Sequence, residues 1–275
     1  NEAPLHNSEK CVTGCVATAM SILAYYHQWP VNGAGTTPEY TYEEYGVQYT
    51  VSSNTLGRTY NYTNMLQDYS GGYTTNQGDA VAALMKDMGT AVKMMYGVSE
   101  SGAYDKNVPI ALTTYFGYSK DMLLVSHVSY TEDEWALLLQ NNLKNYGPMY
   151  FSGPSVSGGH AFILDGYTDA DYFHINFGWY GSNNGYYLLP QSPYYEGQMG
   201  LFKAVPDKSN TTNYADYLVL ITDQERGLVG IKSNASTYSV GESFNVSVGG
   251  VQNNGLADFA GKIALVMCDE SGAVK

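Results

Sequence analysis

Two cysteines lie four residues apart near the start of the chain, in CVTGCVATAM, and the second of them begins a predicted helix. A helix N-terminus carries unpaired backbone N–H groups and partial positive charge, which stabilise a thiolate and lower a cysteine pKa. Gly14 lets the backbone turn tightly into the helix and leaves room beside the sulfur. These features predict that Cys15 is a nucleophile, although a small buried structural residue is the alternative for any cysteine.

A cysteine nucleophile needs a base that takes its proton, and this base is usually a histidine held by a third group. His160 follows Gly158 and Gly159 at the start of a predicted strand, so its ring is expected to be open to a cleft. Asn176 on the next predicted strand is placed to accept a hydrogen bond from the imidazole. Trp179 lies close enough in sequence to cover this pair and exclude water.

Other assignments of the same residues remain open at the level of sequence. His174 is the rival base, because it should share a strand face with Asn176. Cys11 could form a disulfide with Cys15, or both could bind a metal ion. The C-x-x-x-C spacing lacks the further Cys or His ligands of a structural zinc site, and Cys268 lies in another predicted domain. We therefore expect neither a metal ion nor an organic cofactor.

Four segments with helical spacing should position these residues. The first runs from Cys15 to about residue 28, with a buried stripe that includes Leu23 and Tyr26. The second, residues 78–92, has Asp79 as its expected N-cap, and the third covers residues 108–118. The fourth, residues 131–147, begins with the capping-box pattern of Thr131 and Glu134 and ends at Gly147.

The remaining segments indicate β-structure and loops. Residues 31–77 have weak periodicity and predict long loops with short helices. The segments PMYFSG, GHAFILDGY, YFHINFGWYG and GYYLLP predict an antiparallel meander, which with the preceding helices makes an α+β domain over residues 1–205. A polar linker at residues 206–213 precedes four strand-like segments. Because residues 214–275 are too few for a complete immunoglobulin-like β-sandwich, we expect an incomplete one.

Composition narrows the class of protein. The chain has 275 residues, 44% of them apolar, and a formal net charge of −13. This charge argues against nucleic acid as a partner, since a nucleic-acid site needs a basic face. No apolar run is long enough to insert into a membrane, and no export signal opens the chain. Because the first residue is Asn, we expect a processed chain.

The sequence around Cys15, His160 and Asn176 resembles that of a known family. The segments GCVATAM, AYYHQWP, SGGHAFILDGY and YFHINFGWYG are similar to those of the streptopain family of bacterial cysteine peptidases. The resemblance covers residues 1–205. It implies a papain-like fold with a helical lobe and an antiparallel β lobe, and a secreted or cell-surface endopeptidase. It also implies a zymogen whose own pro-segment is the inhibitor, and protein or peptide substrates.

The resemblance also implies roles for individual residues. Cys15 is the nucleophile and His160 the base, while Asn176 and Trp179 match the family's third motif, in which Phe177 replaces a tryptophan. The family's oxyanion glutamine corresponds to Asn1, which would act with the N–H of Cys15.

Further residues complete the expected cleft. Ser99 and Ser101 resemble the family's serine-bearing loop beside the substrate, and Gly158 and Gly159 are expected to line the cleft. Two other functions stay open: a degenerate peptidase scaffold used for surface binding or adhesion, and an acyltransferase that uses the same Cys–His pair.

Overall fold

The computed structural model describes residues 2–155, 158–192, 194, 197–223, 228–269, 271 and 273. Within these residues the chain forms four α-helices: α1 (Cys15–His27), α2 (Thr75–Ala91), α3 (Asn107–Tyr115) and α4 (Glu132–Tyr146). Three short 3₁₀ helices cover Tyr62–Asn64, His127–Ser129 and Leu189–Gln191. None of the helices in these described ranges is long and apolar enough to cross a membrane.

The strands that precede α2 form three small antiparallel sheets. Their bounds are β1 (Leu5–His6), β2 (Glu9–Lys10), β3 (Thr36–Thr37), β4 (Tyr40–Glu44), β5 (Val47–Val51) and β6 (Asn54–Thr55). The pairs are β1 with β2, β3 with β6, and β4 with β5. The expectation of loops and short helices over residues 31–77 is therefore wrong for the two pairs in this region. Such short, mostly exposed strands have too few residues for an alternating pattern to stand out.

A six-stranded antiparallel sheet forms the centre of the molecule. It contains β7 (Leu123–Ser126), β8 (Met149–Ser155), β9 (Gly158–Tyr167), β10 (Tyr172–Asn176), β11 (Gly185–Leu188) and β12 (Met199–Phe202). The spatial order is β11-β10-β9-β8-β12-β7. The predicted meander is confirmed as β8 to β11. The mixed α/β class with antiparallel sheets is confirmed as well.

Alternation along the central strands divides the apolar residues between two cores. Tyr150 and Ile163 point to the face on which α1 packs. Phe151 and Phe162 point to the opposite face, where Trp135 of α4 packs. Because side chains alternate across a strand, neighbouring residues of β8 and β9 serve different cores. The sheet is therefore a middle layer that fixes α1 against one of its faces.

The helix ends test the capping predictions. Thr131 caps α4 and accepts from the N–H of Glu134 at 3.3 Å, while the Glu134 carboxylate accepts from the N–H of Thr131 at 2.9 Å, so the capping box is confirmed. The predicted N-cap of α2, Asp79, is wrong. Thr74 caps this helix in a second capping box with Gln77, and the first turn therefore precedes the apolar stripe. Tyr26 of α1 is 56% exposed and not part of the core.

Within the described residues, the C-terminal strands pair with one another. They are β13 (Leu218–Leu220), β14 (Thr222–Asp223), β15 (Leu228–Val229), β16 (Ile231–Ser233), β17 (Val246–Val248) and β18 (Val251–Asn253). They form three two-stranded sheets, β13 with β18, β14 with β15, and β16 with β17. The last predicted strand segment, residues 259–272, contains no strand in the part that the structure describes.

The predicted linker is held by the first part of the chain. Asp207 accepts hydrogen bonds from the backbone N–H groups of Thr211 and Thr212 at 3.1 and 2.9 Å. The hydroxyl of Thr212 in turn accepts from the N–H of Lys120 at 2.9 Å. Hydrogen bonds from Thr212 are the main reason that the pKa of Asp207 falls to about 2. The segment up to residue 212 is thus ordered against the region around Lys120.

Candidate active site

Cys15 is the first residue of α1, and a crowded glycine leads into it. Gly14 has φ +89°, in the region that favours glycine. A Cβ atom at this position would lie 2.8 Å from Met94 Sδ and 2.9 Å from the carbonyl oxygen of Ser101. The turn into the helix therefore excludes every side chain, both by its backbone angle and by its neighbours.

Two opposing effects act on the Cys15 thiol. Burial is the larger and raises the pKa of the thiol above its ordinary value. Hydrogen bonds from the backbone N–H groups of Ala161 and Val16 act in the opposite direction, as expected for a helix N-terminus. The net shift is opposite in sign to the one that the sequence predicts. The thiol is thus a weak acid here, and a nearby base is required to make the thiolate.

His160 occupies the strand that receives the start of α1. It is the third residue of β9, pairs with Gly153 of β8, and is followed by Ala161, which belongs to the core cluster against which Cys15 packs. Its ring is buried and stacks on Trp179 at a centroid distance of 4.4 Å. Phe177 stacks in turn on Trp179 at 5.1 Å. The indole therefore covers the imidazole, as the sequence predicts.

The carbonyl oxygen of Phe177 fixes the protonation of the His160 ring. It lies 2.9 Å from Nε2. A carbonyl oxygen only accepts hydrogen bonds, so Nε2 carries the proton and Nδ1 keeps its lone pair in the neutral ring. Burial lowers the pKa of His160 below its ordinary value, and the Phe177 carbonyl acts against this shift. The ring is therefore neutral at neutral pH, with Nδ1 free to accept a proton.

Asn176 acts on the backbone and not on the imidazole in this structure. Its Oδ1 accepts from the N–H of Gly178 at 3.0 Å. Gly178 has φ +74° and forms the turn that leads to Trp179. The tautomer-fixing role expected for the Asn176 side chain is thus filled by the backbone of the next residue. Asn176 shapes the turn that brings the indole over His160.

The structure does not support the alternative roles predicted for His174 and Cys11. His174 Nδ1 lies 2.5 Å from Asp165 Oδ1, its ring packs edge-on against Tyr186, and it does not line the cleft that contains Cys15. Cys11 is buried, and none of Cys11, Cys15 and Cys268 takes part in a disulfide. A disulfide between Cys11 and Cys15 is therefore not formed.

An open cleft of about 2070 Å³ brings the predicted site residues together. Apart from Asn1, which lies outside the described residues, all of them line this cleft: Cys15, Ser99, Ser101, Gly158, Gly159, His160, Asn176 and Trp179. Phe177, whose carbonyl and ring both serve His160, lines it as well.

The serine-bearing loop is tied to the turn before Cys15. The hydroxyl of Ser101 donates to the carbonyl oxygen of Val12 at 2.8 Å and accepts from the N–H of Gly97 at 2.9 Å. The side chain of Ser101 is therefore engaged within the protein, whereas Ser99 is exposed. Ser101 fixes the loop, and its neighbours are left to meet a ligand.

Several contributors to this site could not be found from the sequence. The N–H of Ala161 and the carbonyl of Phe177 are backbone groups, which every residue carries. Tyr194 packs beside the His160 ring, at a centroid distance of 5.6 Å, although it lies far along the chain in a segment rich in Tyr and Pro. Asp105 and Tyr150 form a hydrogen-bonded pair at the cleft without any motif. Only their adjacency in space identifies them.

Comparisons with known proteins match the larger part of the chain. A sequence profile described as the Peptidase C10 family matches residues 1–187. Streptopain from Streptococcus pyogenes is 32% identical over 194 residues, which is 66% of this chain and 46% of streptopain. The chain thus spans about half the length of this relative.

Solved structures agree with the sequence matches. The structure of active wild-type interpain A cysteine protease from Prevotella intermedia superposes with a TM-score of 0.66 at 32% identity, covering 74% of this chain and 88% of that one. A prointerpain A fragment from the same organism gives a TM-score of 0.64, also at 32% identity, over 74% of this chain and 67% of that fragment.

The crowding around Gly14 yields a first prediction. Gly14→Ala should cost about 2 kcal/mol or more in free energy of unfolding, because left-handed strain and steric overlap add. Gly46→Ala is the matched control, since Gly46 has a similar left-handed φ of +79° but no heavy atom within 4 Å of the position that its Cβ would take. It should cost about 1 kcal/mol. Urea unfolding measures both, and equal costs would contradict the role of Met94 and Ser101 as a steric limit.

The hydrogen bond of Asn176 yields a second prediction. Asn176→Ala should lower the expected peptide hydrolysis on the order of tenfold, because the turn that carries Trp179 loses its support. Asn176→Asp keeps an acceptor for the Gly178 N–H and should retain more activity than Asn176→Ala. Steady-state kinetics on one peptide compares the two variants. An aspartate variant as impaired as the alanine variant would argue against this positioning role.

Proposed function

This chain belongs to the Peptidase C10 family, and we propose that it is a cysteine endopeptidase that hydrolyses protein substrates through Cys15 and His160. One observation carries the proposal. Cys15, the first residue of α1, and His160, near the start of strand β9, line one open cleft, because α1 packs on the face of the sheet to which Ala161, the residue after His160, points. A thiol and a neutral imidazole in one cleft are the parts that acyl transfer to cysteine requires.

The first chemical step is proton transfer from the thiol to the ring. The Phe177 carbonyl holds Nε2–H, so the lone pair of Nδ1 takes the proton from Cys15. The thiolate then attacks the carbonyl carbon of the scissile bond. Among the described residues, the hydrogen bond of the His160 ring is to the Phe177 carbonyl, and the bond to the Cys15 sulfur is expected to form when substrate is present. Catalytic hydrogen bonds are often long without substrate and tighten when it binds.

Later steps return the proton and release the acyl group. Protonated His160 gives its proton to the leaving amine, and water then hydrolyses the thioester with His160 as base. The N–H of Cys15, one of the unpaired groups at the start of α1, donates to the oxyanion of the tetrahedral intermediate. We propose Asn1 as the second donor of this oxyanion hole.

The cleft walls offer binding groups for an extended polypeptide. Gly158 and Gly159 are exposed at the start of β9 and have no side chains to obstruct a substrate backbone. The loop with Ser99, held in place through Ser101, lines the same cleft. A degenerate scaffold is not favoured, because the nucleophile, the base and an open cleft are all present. An acyltransferase would use the same Cys–His pair, and it is not favoured because the matching family and solved structure are those of peptidases.

The resemblance supports finer proposals about the whole protein. We propose that residues 1–205 form a papain-like two-lobed domain, and that residues 214–275 are part of an immunoglobulin-like β-sandwich. We also propose secretion or display at the cell surface, and synthesis as a zymogen whose pro-segment occupies the cleft. The similarity to a prointerpain A fragment supports the zymogen form.

The Cys–His pair yields a third prediction. Cys15→Ala and His160→Ala should each lower kcat/KM for a peptide on the order of 10³-fold or more, because either loss removes thiolate attack. His174→Ala is the matched control and should keep most of the activity, since His174 lies outside the cleft. Circular dichroism checks that each variant is folded. Loss of activity in His174→Ala with retention in His160→Ala would reverse the assignment.

The proposed domain boundary yields a fourth prediction. Deleting residues 214–275 should leave hydrolysis of a short peptide within about twofold, because none of the residues of this segment that the structure describes lines the cleft. It should lower the free energy of unfolding by roughly 1–3 kcal/mol, since Leu256 packs against the core around α1. Leu256→Ala in the full chain serves as the control for that contact. A folded but inactive truncation would show that the C-terminal strands help to build the site.

A further inference from the structure

The cleft contains a carboxylate that the proposed chemistry does not use. Asp105 lies four residues after Ser101, lines the cleft and is only half-buried. The hydroxyl of Tyr150 donates to its Oδ1 at 2.5 Å. Tyr150 is fully buried, on the face of β8 that packs against α1. The Tyr150 hydroxyl, which belongs to the core, thus holds one oxygen of Asp105. This hydrogen bond fixes the position of the carboxylate at the surface of the cleft.

The surroundings of Asp105 leave its charge uncompensated. Burial, and after it the charge of Asp105, raise the pKa of Tyr150 well above its usual value, so the tyrosine remains a hydrogen-bond donor and does not become a second anion. Lys106 is the neighbouring cation, but its Nζ lies over the ring of Tyr104, 5.5 Å from the centroid. Among the described residues it makes no ion pair with Asp105.

The cleft as a whole supplies no cation either. Seven aspartates and glutamates and no lysine or arginine line it in the described part of the chain. At the overall ratio of 13 basic to 26 acidic residues, roughly two of seven charged lining residues would be basic. A cleft walled by one sign of charge concentrates ligands of the opposite sign. Asp105 differs from the exposed acids by its fixed geometry.

Asp105 is also close to the reacting sulfur. The carbonyl oxygen of Ser101 lies against Gly14, the residue before the nucleophile. Asp105 follows Ser101 by four residues along the chain. Cys15 and Asp105 line the same cleft, and the charge of Asp105 adds, after burial, to the raised pKa of Cys15. A substrate residue next to the scissile bond therefore passes the carboxylate.

From this arrangement we infer that Asp105, held by Tyr150, selects substrates with a lysine or arginine side chain beside the scissile bond. This inference rests on the proposed peptidase function. The free carboxylate oxygen accepts a charge-assisted hydrogen bond from the substrate ammonium or guanidinium group. The adjoining Tyr104 ring offers its face to the same cation, as it does to Lys106. The substrate class of the cleft is thus cationic polypeptides.

The test uses Asp105→Asn, which keeps an acceptor for the Tyr150 hydroxyl and removes only the charge. Peptides of one sequence carry Lys, Arg, Gln or Glu in turn at each of the two positions on either side of the cut. At one position the wild type should cleave the Lys and Arg peptides faster than the Gln peptide. There Asp105→Asn should lower this ratio of kcat/KM about tenfold, the usual scale of a hydrogen bond to a charged group.

The matched control is Asp79→Asn. Asp79 is an exposed acid of α2 that lines the same cleft and has no hydrogen-bond or ion-pair partner among the described residues. This variant should leave the Lys-to-Gln ratio within about twofold of wild type, because it changes only the diffuse field, which salt screens. Equal losses in both variants would overturn the inference in favour of a general charge effect. No preference for Lys or Arg in an active wild type would also overturn it.

A second measurement is independent of turnover. Iodoacetamide labelling of Cys15 is followed with and without the Lys peptide, whose binding should slow labelling more in the wild type than in Asp105→Asn. If no peptide is hydrolysed, the proposed function fails, whereas this protection still tests Asp105. Equal protection of the two proteins by the Lys peptide would rule out Asp105 as the recognising group.

Discussion

The contact between the start of α1 and strand β9 is the constraint on which the rest of the site depends. Cys15 packs against the core cluster that includes Ala161, because α1 lies on the face of the sheet to which Ala161 and Ile163 point. On the other side, Gly14 has no room for a side chain. The nucleophile is thus fixed between a strand and a loop that are distant from it in sequence.

Burial, which makes this fixation possible, opposes the charges that the chemistry needs. It raises the pKa of Cys15 and lowers the pKa of His160, so both effects favour the neutral pair. Backbone groups act against burial at each residue, the N–H of Ala161 at the sulfur and the carbonyl of Phe177 at the ring. The backbone groups therefore partly offset the effect of burial on the two pKa values. The reactive ion pair forms when one proton moves from Cys15 to His160 within the cleft.

The same backbone groups explain the place of the aromatic residues. Phe177 must sit at the end of β10 for its carbonyl to reach Nε2, and the turn that follows, stabilised by Asn176, returns Trp179 over the imidazole. The indole shields one side of the ring from water while the cleft stays open on the other. Asp105 is held in a similar way, by a tyrosine that belongs to the core. In both cases a buried residue sets the position of a group that faces the substrate.

The sequence alone determined the identity of the nucleophile and base candidates, the α+β class, the antiparallel strands β8 to β11 and the capping box of α4. These features depend on local spacing, on side-chain chemistry and on motifs within a few residues. Spacing missed the first turn of α2, which precedes its apolar stripe, and the short strands β3 to β6. The tertiary structure alone decided that burial outweighs the helix N-terminus at Cys15, that a backbone carbonyl holds His160, and that Asp105 meets Tyr150. Such outcomes depend on desolvation and on contacts between distant segments, and a linear sequence records neither.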